Sequence, residues 1–189
     1  EAMMGQLVRL QLVLNTRFRL RGFIKAELFH EWQATAMYAA GFRWILCGFE
    51  SADERTLVNI NKRATLADNT KVIEWAHKHK LKVKALMSIG HPGETFESVR
   101  RIGDWLIAQQ VDDFDLTIIT PYPGSPYYDD AVPGRTQDYV YTQPKTGDRL
   151  YMRDIDYSIE AGYYKGVPGE YVSLVHTDAL SADDLVHLR

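Results

Sequence analysis

The sequence predicts an α/β fold: about four parallel strands with helices between them, and a small antiparallel appendage at the C-terminal end. Three observations carry this. Between residues 19 and 122, short apolar runs alternate with amphipathic stretches of helical period. Strand–helix alternation of that kind joins parallel strands through right-handed crossovers. After residue 123 the alternation stops, and a Tyr-rich stretch with a turn signal at its centre takes over.

The elements follow in order. Residues 19–28 (RLRGFIKAEL) read as a strand, and residues 29–40 as a helix that Gly41 stops. FRWILCGFE (42–50) is the second strand, after which Ser51-Ala-Asp-Glu54 reads as a capping box opening a short helix. Thr65 and Asp68 cap a longer helix whose Val72, Ile73, Trp75 and Ala76 form an apolar stripe. KVKALMSIG (82–90) is the third strand, and Phe96, Val99, Ile102 and Leu106 mark the helix behind it. DFDLTIIT (113–120) is the fourth strand, closed by Pro121-Tyr-Pro-Gly124. Residues 138–157 form a hairpin around Lys145-Thr-Gly-Asp148, residues 168–177 a further strand, and Ser181 starts a final helix. The expected division is a barrel part over residues 1–134 and an extension over 135–189.

Composition narrows the function classes. A chain of 189 residues with 46% hydrophobic content can bury a sizeable core. A net charge of −3 gives no electrostatic footprint for nucleic acid or an anionic membrane. No apolar run approaches the ~20 residues of a membrane span, and no signal-peptide pattern opens the chain. One cysteine, Cys47, excludes an internal disulfide and favours a reducing, cytoplasmic setting.

Buried parallel strands usually read as continuous apolar runs; these alternate. Arg21, Lys25 and Glu27 oppose Ile24, Ala26 and Leu28, while Trp44, Gly48 and Glu50 oppose Ile45, Cys47 and Phe49. Lys82, Lys84 and Ser88 oppose Val83, Ala85, Met87 and Ile89, and Asp115 and Thr117 oppose Phe114, Leu116 and Ile118. The polar face is either the solvated side of an open sheet or the lumen of a wide, incomplete barrel. Loops at the C-terminal strand ends are where such folds place their chemistry.

Those loops carry a resemblance. The runs GFRWILCGFESADERTLVNINKRAT, VKALMSIGHPGETFESV and FDLTIITPYPGSPYYD resemble, in order, the later strands of radical S-adenosylmethionine enzymes, in the branch often fused to a cobalamin-binding domain. The likeness covers about residues 19–130. It implies a partial (β/α) barrel, incomplete relative to a TIM barrel, with S-adenosylmethionine and a 4Fe-4S cluster as cofactors and cobalamin as an optional third. By this resemblance Glu50 and Ser51 contact the ribose or methionine part of the cofactor. Ser88, Ile89 and Gly90 lie along its adenine, with exposed amides at its edge, and Pro121 and Tyr122 close the far side. Lys25, Glu27, Lys84 and Asp115 line the lumen as substrate contacts or as mutual ion pairs. His91 is a proton donor near substrate or, more simply, a loop histidine with a local hydrogen bond.

One departure matters. The family holds its cluster through three cysteines in a Cys-x3-Cys-x2-Cys loop, and clusters need several thiolates; only Cys47 is present, facing the helices as a small hydrophobe. The expectation is a C-terminal part of a radical enzyme, acting on a small-molecule substrate. Its partner would be the missing N-terminal part of the barrel, with the cluster loop upstream of residue 1. Two other readings compete: a cluster-less binding or scaffold module of the same fold, and a metal-independent hydrolase or lyase using Glu50, His91 and Asp115 as acid–base groups. Substrate and reaction (methyl transfer, ring formation or oxidative rearrangement) stay open. One thiolate cannot replace three, so anaerobic reconstitution of this chain with iron and sulfide should leave it without a cluster. Stoichiometric four-iron incorporation by metal analysis would overturn that expectation.

Overall fold

The computed structural model describes residues 2–135, 138–156 and 171–189. The chain divides into two compact units that interleave along the sequence: Glu1–Glu50, Arg63–Met87 and Gly103–Asp115 form one, and Ser51–Lys62, Ser88–Ile102 and Leu116–Arg189 the other. The elements are α1 (Ala2–Val13), β1 (Leu20–Ile24), α2 (Glu31–Ala39), β2 (Phe42–Glu50), α3 (Glu54–Asn59), α4 (Leu66–Lys78), β3 (Lys82–Ile89), α5 (Phe96–Ala108), β4 (Asp113–Ile118), α6 (Pro126–Asp129), β5 (Val132–Pro133), β6 (Asp138–Thr142), β7 (Arg149–Arg153), β8 (Val175–Thr177) and α7 (Ala182–Leu188). The α/β expectation is met. Four parallel strands form one sheet in the order β1-β2-β3-β4, and β5-β6-β7-β8 form a separate antiparallel sheet.

In the first unit the period-2 pattern of β2 and β3 becomes a burial pattern. Ile45, Cys47 and Phe49 are fully buried, as are Val83 and Ala85, while Trp44, Leu46, Gly48 and Lys84 stay partly exposed. Val72, Ile73 and Ala76 of α4 and Ala34 and Met37 of α2 are buried as well. Phe49 meets Trp105 edge to face at 5.3 Å, and the indole N–H donates to Thr70 Oγ1 at 3.2 Å. The edge-to-face arrangement sets the positive ring edge against the negative face of its neighbour. Asp112 ties the start of β3 to α4, accepting from the Val83 amide and bonding His77 Nε2, both at 2.9 Å.

Several expectations need correction. The first strand ends at Ile24; Ala26–Leu28 is a 3-10 turn, so Lys25 and Glu27 leave the sheet and their strand-face assignment with it. Phe114 of β4 is 53% exposed, and Ile24, Leu116 and Ile118 are only partly buried, so the outer strands β1 and β4 cover their apolar face less completely than β2 and β3 do. Phe23, 77% exposed, lies on the Arg21 side, where alternation places it. The cap of α3 is Asp53, whose carboxylate accepts from Thr56 N, not Ser51, whose hydroxyl accepts from Asp53 N. Asp53 wins because its side chain lies within reach of the N3 amide. The capping boxes at Thr65/Asp68 and Ser181/Asp184 form as expected. Two helices, α1 and α6, were not expected; α1 buries none of its residues, so its apolar positions carry no core signal.

In the second unit, β6 and β7 pair around the expected turn, and β8 extends the sheet. Of the strand expected over residues 168–177, residues 168–170 lie outside the described part and β8 occupies the end. Tyr141, Leu150, Met152 and Val175 face the buried side, with Leu180 and Leu185 from the α7 region. In the first unit, Phe49→Ala removes a fully buried ring and its contact to Trp105. It should cost about 3–5 kcal/mol in urea unfolding; a loss under ~1 kcal/mol would mean the neighbours collapse into the space.

Candidate functional site

The loop between β3 and α5, Gly90-His91-Pro92-Gly93-Glu94, is closed by its own last side chain. Glu94 is fully buried. Its Oε2 accepts from the Gly90 amide at 2.6 Å and the His91 amide at 2.9 Å, while Oε1 has no partner. Its own amide donates to the His91 carbonyl, and its carbonyl accepts from Thr177 Oγ1 at 2.9 Å. Burial away from water penalises the charged form and pushes this carboxyl up to about 7.

Two glycines make the loop feasible. Gly90 has φ +92° and Gly93 φ +78°, backbone that side chains rarely adopt. At Gly93 a Cβ would collide with the Asp148 carboxylate. That carboxylate is a junction: Arg55 donates to it through Nε and Nη2 at 2.8 and 2.7 Å, and Asn59 Nδ2 donates at 2.8 Å. The same Asn59 amide donates to the Pro92 carbonyl at 2.7 Å, and Gln143 donates to the Asn59 carbonyl at 2.6 Å. The Arg55 guanidinium holds the Asp148 carboxyl down to about 2. Asp53, the cap of α3, meets Arg101 of α5 at 2.5 Å.

His91 is buried between Ser88 and Tyr127. Its Nε2 lies 2.8 Å from Ser88 Oγ, and its Nδ1 lies 3.3 Å from the Tyr127 hydroxyl. Burial pushes the imidazole down to about 3, so it is neutral at physiological pH and serves as a hydrogen-bonding group within the loop. Tyr127 packs on Tyr141 with ring centroids 4.9 Å apart, and burial raises its hydroxyl above the usual tyrosine range.

Ser51 and Ile89 are fully buried, and Ser88, Gly90 and Pro121 are also buried. The Ile89 carbonyl accepts from the Ile119 amide at 2.9 Å. Tyr122 is 43% exposed. In the other unit, Glu50 is partly exposed and sits at φ +66°, beside a bulge where Gly48 pairs Leu86 and Glu50 pairs Met87. Bulges of this kind re-aim a side chain at a strand end, and a non-glycine residue held in the left-handed region stores backbone strain. Lys84 Nζ lies 3.0 Å from both Asp113 and Asp115, an ion-pair cluster on the polar side of β3 and β4. Lys25 is exposed and Glu27 partly exposed.

Sequence reasoning did not single out Glu94, Asn59, Asp148 or Tyr127. Glu94 had a readable signal: a carboxylate four residues beyond a strand-end glycine can fold back onto the amides of that loop. Asn59 and Asp148 are 89 residues apart and had none.

The residues present do not suit an iron–sulfur cluster. Cys47 is buried, and no group of three or more ligating side chains exists among the described residues. Nor, among them, is any helix long and apolar enough to cross a membrane.

Glu94 and His91 shift in opposite senses. The folded chain keeps a proton on Glu94 between 4.5 and about 7, so that contribution is present at low pH and lost as pH rises through about 7. The folded chain refuses a proton on His91 between 6.5 and about 3, so that contribution is present above 6.5 and lost as pH falls. Between 4.5 and 6.5 the two oppose each other. Glu94→Gln should therefore unmask stability that rises with pH in this window, and His91→Asn stability that falls. Thermal melts across the window check this; matching profiles in both variants would contradict it.

Comparison with known proteins assigns the chain. The family model described as the radical SAM superfamily matches residues 8–106, just over half of the chain. An uncharacterized methyltransferase of Pyrococcus horikoshii is 32% identical over 108 residues, 57% of this chain and 24% of that protein. The bacteriochlorophyllide d C-12(1)-methyltransferase of Chlorobaculum tepidum is 25% identical over 92 residues, 48% of this chain and 20% of its own length. The chain thus spans about a quarter or less of the curated relatives it matches. Among solved structures, the radical S-adenosylmethionine methyltransferase TsrM of Kitasatospora setae, with cobalamin and a [4Fe-4S] cluster bound, aligns with TM-score 0.57 at 22% identity, over 62% of this chain and 22% of that one. The coproporphyrinogen III oxidase HemN of Escherichia coli, a radical SAM enzyme, aligns with TM-score 0.57 at 15% identity, over 65% and 29%. At these identities the structures speak to fold alone, the partial-barrel class that the resemblance implied. The chain belongs to the radical SAM superfamily.

Proposed function

We propose that this chain forms part of the S-adenosylmethionine and substrate site of a radical SAM enzyme whose reaction is methyl transfer to a small molecule. The single observation that carries the binding role is Glu50, held at φ +66° at the bulged end of β2. Such strain persists where the surroundings over-determine it, typically at ligand clamps. A carboxylate there accepts from ribose hydroxyls or from an ammonium group, and charge-assisted bonds of that kind are the strong ones. Gly48, two residues earlier on the same side of β2, places no side chain beneath it. Methyl transfer is supported by two relatives named as methyltransferases.

On this reading Ser51, Ser88, Ile89, Gly90, Pro121 and Tyr122 shape the cofactor's surroundings through backbone and ring surfaces. The buried ones among them act chiefly by fixing the strand ends, and Tyr122 supplies an exposed ring. S-adenosylmethionine, when bound, supplies the reactive methyl and adenosyl groups; this chain's residues orient it. The thiolates for a cluster, and cobalamin where the enzyme uses it, come from outside this chain. Among the lumen candidates, Lys84 is engaged with both Asp115 and Asp113, which favours a structural ion pair at that position.

Glu50→Ala in the complete enzyme should weaken S-adenosylmethionine binding by about 1.5–3 kcal/mol, the range for hydrogen bonds to charged groups. Glu50→Gly should weaken it equally while leaving thermal stability unchanged or higher, because glycine relieves the left-handed backbone. Calorimetric titration and melts on both variants check this. Full cofactor affinity in either variant would reject the binding role, and a stability loss in Glu50→Gly would make Glu50 a structural partner instead.

A further inference from the structure

The antiparallel sheet carries a cavity of its own, about 120 Å³, bounded by Pro121, Tyr128 of α6, Tyr139 of β6, Met152 of β7, and Arg153 and Asp154 where β7 ends. Tyr139 and Met152 are directly paired across the two strands, so ring and thioether share one face. Tyr128 is 43% and Tyr139 39% exposed, although apolar side chains are close by. Tyr139, Arg153 and Asp154 also border an adjoining open cleft of about 570 Å³.

Two opposite charges, Arg153 and Asp154, stand at the mouth. Arg55, Arg101 and Arg149 each meet a carboxylate, the last through two bonds to Asp178. Among the described residues the Arg153 and Asp154 side chains show no hydrogen-bond or ion-pair partner. They are neighbours in sequence and of opposite sign, and both border the same two openings, Arg153 pairing across the sheet with Asp138 on the face opposite Tyr139 and Met152. An unpaired guanidinium presents a planar fork suited to a carboxylate. An unpaired carboxylate suits an ammonium group.

Size and lining restrict what fits between them. A cavity near 120 Å³ takes about one six-membered ring, and tyrosine and methionine surfaces favour a flat apolar one. A ligand with one ring and both charges on a short tail satisfies every wall of the pocket. We propose that this pocket binds an aromatic α-amino acid, the ring against Tyr128, Tyr139 and Met152 and the carboxylate and ammonium against Arg153 and Asp154. Pro121 also appears in the cofactor proposal, but the present assignment does not rest on it.

The test is titration of this chain, without S-adenosylmethionine, with L-phenylalanine, 3-phenylpropionate, phenethylamine and L-alanine, followed by calorimetry or amide chemical shifts. L-Phenylalanine should bind saturably, and loss of either charged group or of the ring should weaken binding roughly tenfold, about 1.4 kcal/mol. Arg153→Ala should weaken the two carboxylate-bearing aromatic ligands and leave phenethylamine unchanged. Asp154→Asn should weaken the two amine-bearing ones and leave 3-phenylpropionate unchanged. Both side chains are at the surface, so circular dichroism should show folded variants. Absence of saturable binding at ~10 mM, equal binding of L-alanine, or indifference to both substitutions would overturn the proposal. Displacement of bound L-phenylalanine by S-adenosylmethionine would assign the pocket to the cofactor and overturn it too. Because the ligand titrations precede any addition of cofactor, failure of the Glu50 experiment leaves their result standing, and the reverse.

Discussion

A carboxyl group buried out of reach of water organises the loop between β3 and α5. Glu94 gathers two backbone amides on one oxygen and leaves the other without a partner. An amide pair left unsatisfied in the interior would cost the full desolvation of each group, so the clamp lets a polar loop be buried. Desolvation then makes the proton part of the structure: the carboxyl is held near neutrality in its titration, and the buried imidazole of His91 is kept uncharged beside it. Below a pH of about 7 the loop is a neutral hydrogen-bonded object with no formal charge to solvate.

Around that clamp the second unit is tied by polar side chains that each serve several backbones. Asn59 reaches the Pro92 carbonyl, the Asp148 carboxylate and the Gln143 and Thr146 side chains. Asp148 in turn lies where a side chain at Gly93 would stand, so the glycine and the carboxylate require each other. This linkage holds the tip of the β6–β7 hairpin against the loop, and it explains why the C-terminal segment belongs to the same compact unit as residues 88–102. The polar network is dense enough that its members constrain one another's rotamers.

The first unit is organised differently, by ordinary burial on one side of β2 and β3, with backbone strain at the end of β2. Glu50 is the only β2 residue in the left-handed region, at the point where the register shifts. Strain at a strand end and burial along the strand are compatible because Phe49 remains fully packed against Trp105. The bulge takes up the extra residue without turning the core side outward.

The sequence by itself determined the α/β class, the succession of four parallel strands, the hairpin expected over residues 138–157, of which 138–153 pair, and two capping boxes. Those features depend on period, turn chemistry and contacts three residues apart, all of which are local. The inward set Ile45, Cys47, Phe49, Val83 and Ala85 was legible for the same reason. The quoted loop motifs also carried the family resemblance, which the family model bears out over residues 8–106. The tertiary structure decided what local pattern cannot encode. The exposure of Phe114 depends on its being on an outer strand of the sheet, not on its alternation. The transfer of the α3 cap from Ser51 to Asp53 turned on which side chain reached the amide of Thr56. The protonation of Glu94 and His91 follows from burial that only the packed chain creates. The convergence of Arg55, Asn59, Gly93 and Asp148 joins residues far apart in the chain, and no spacing rule brings them together.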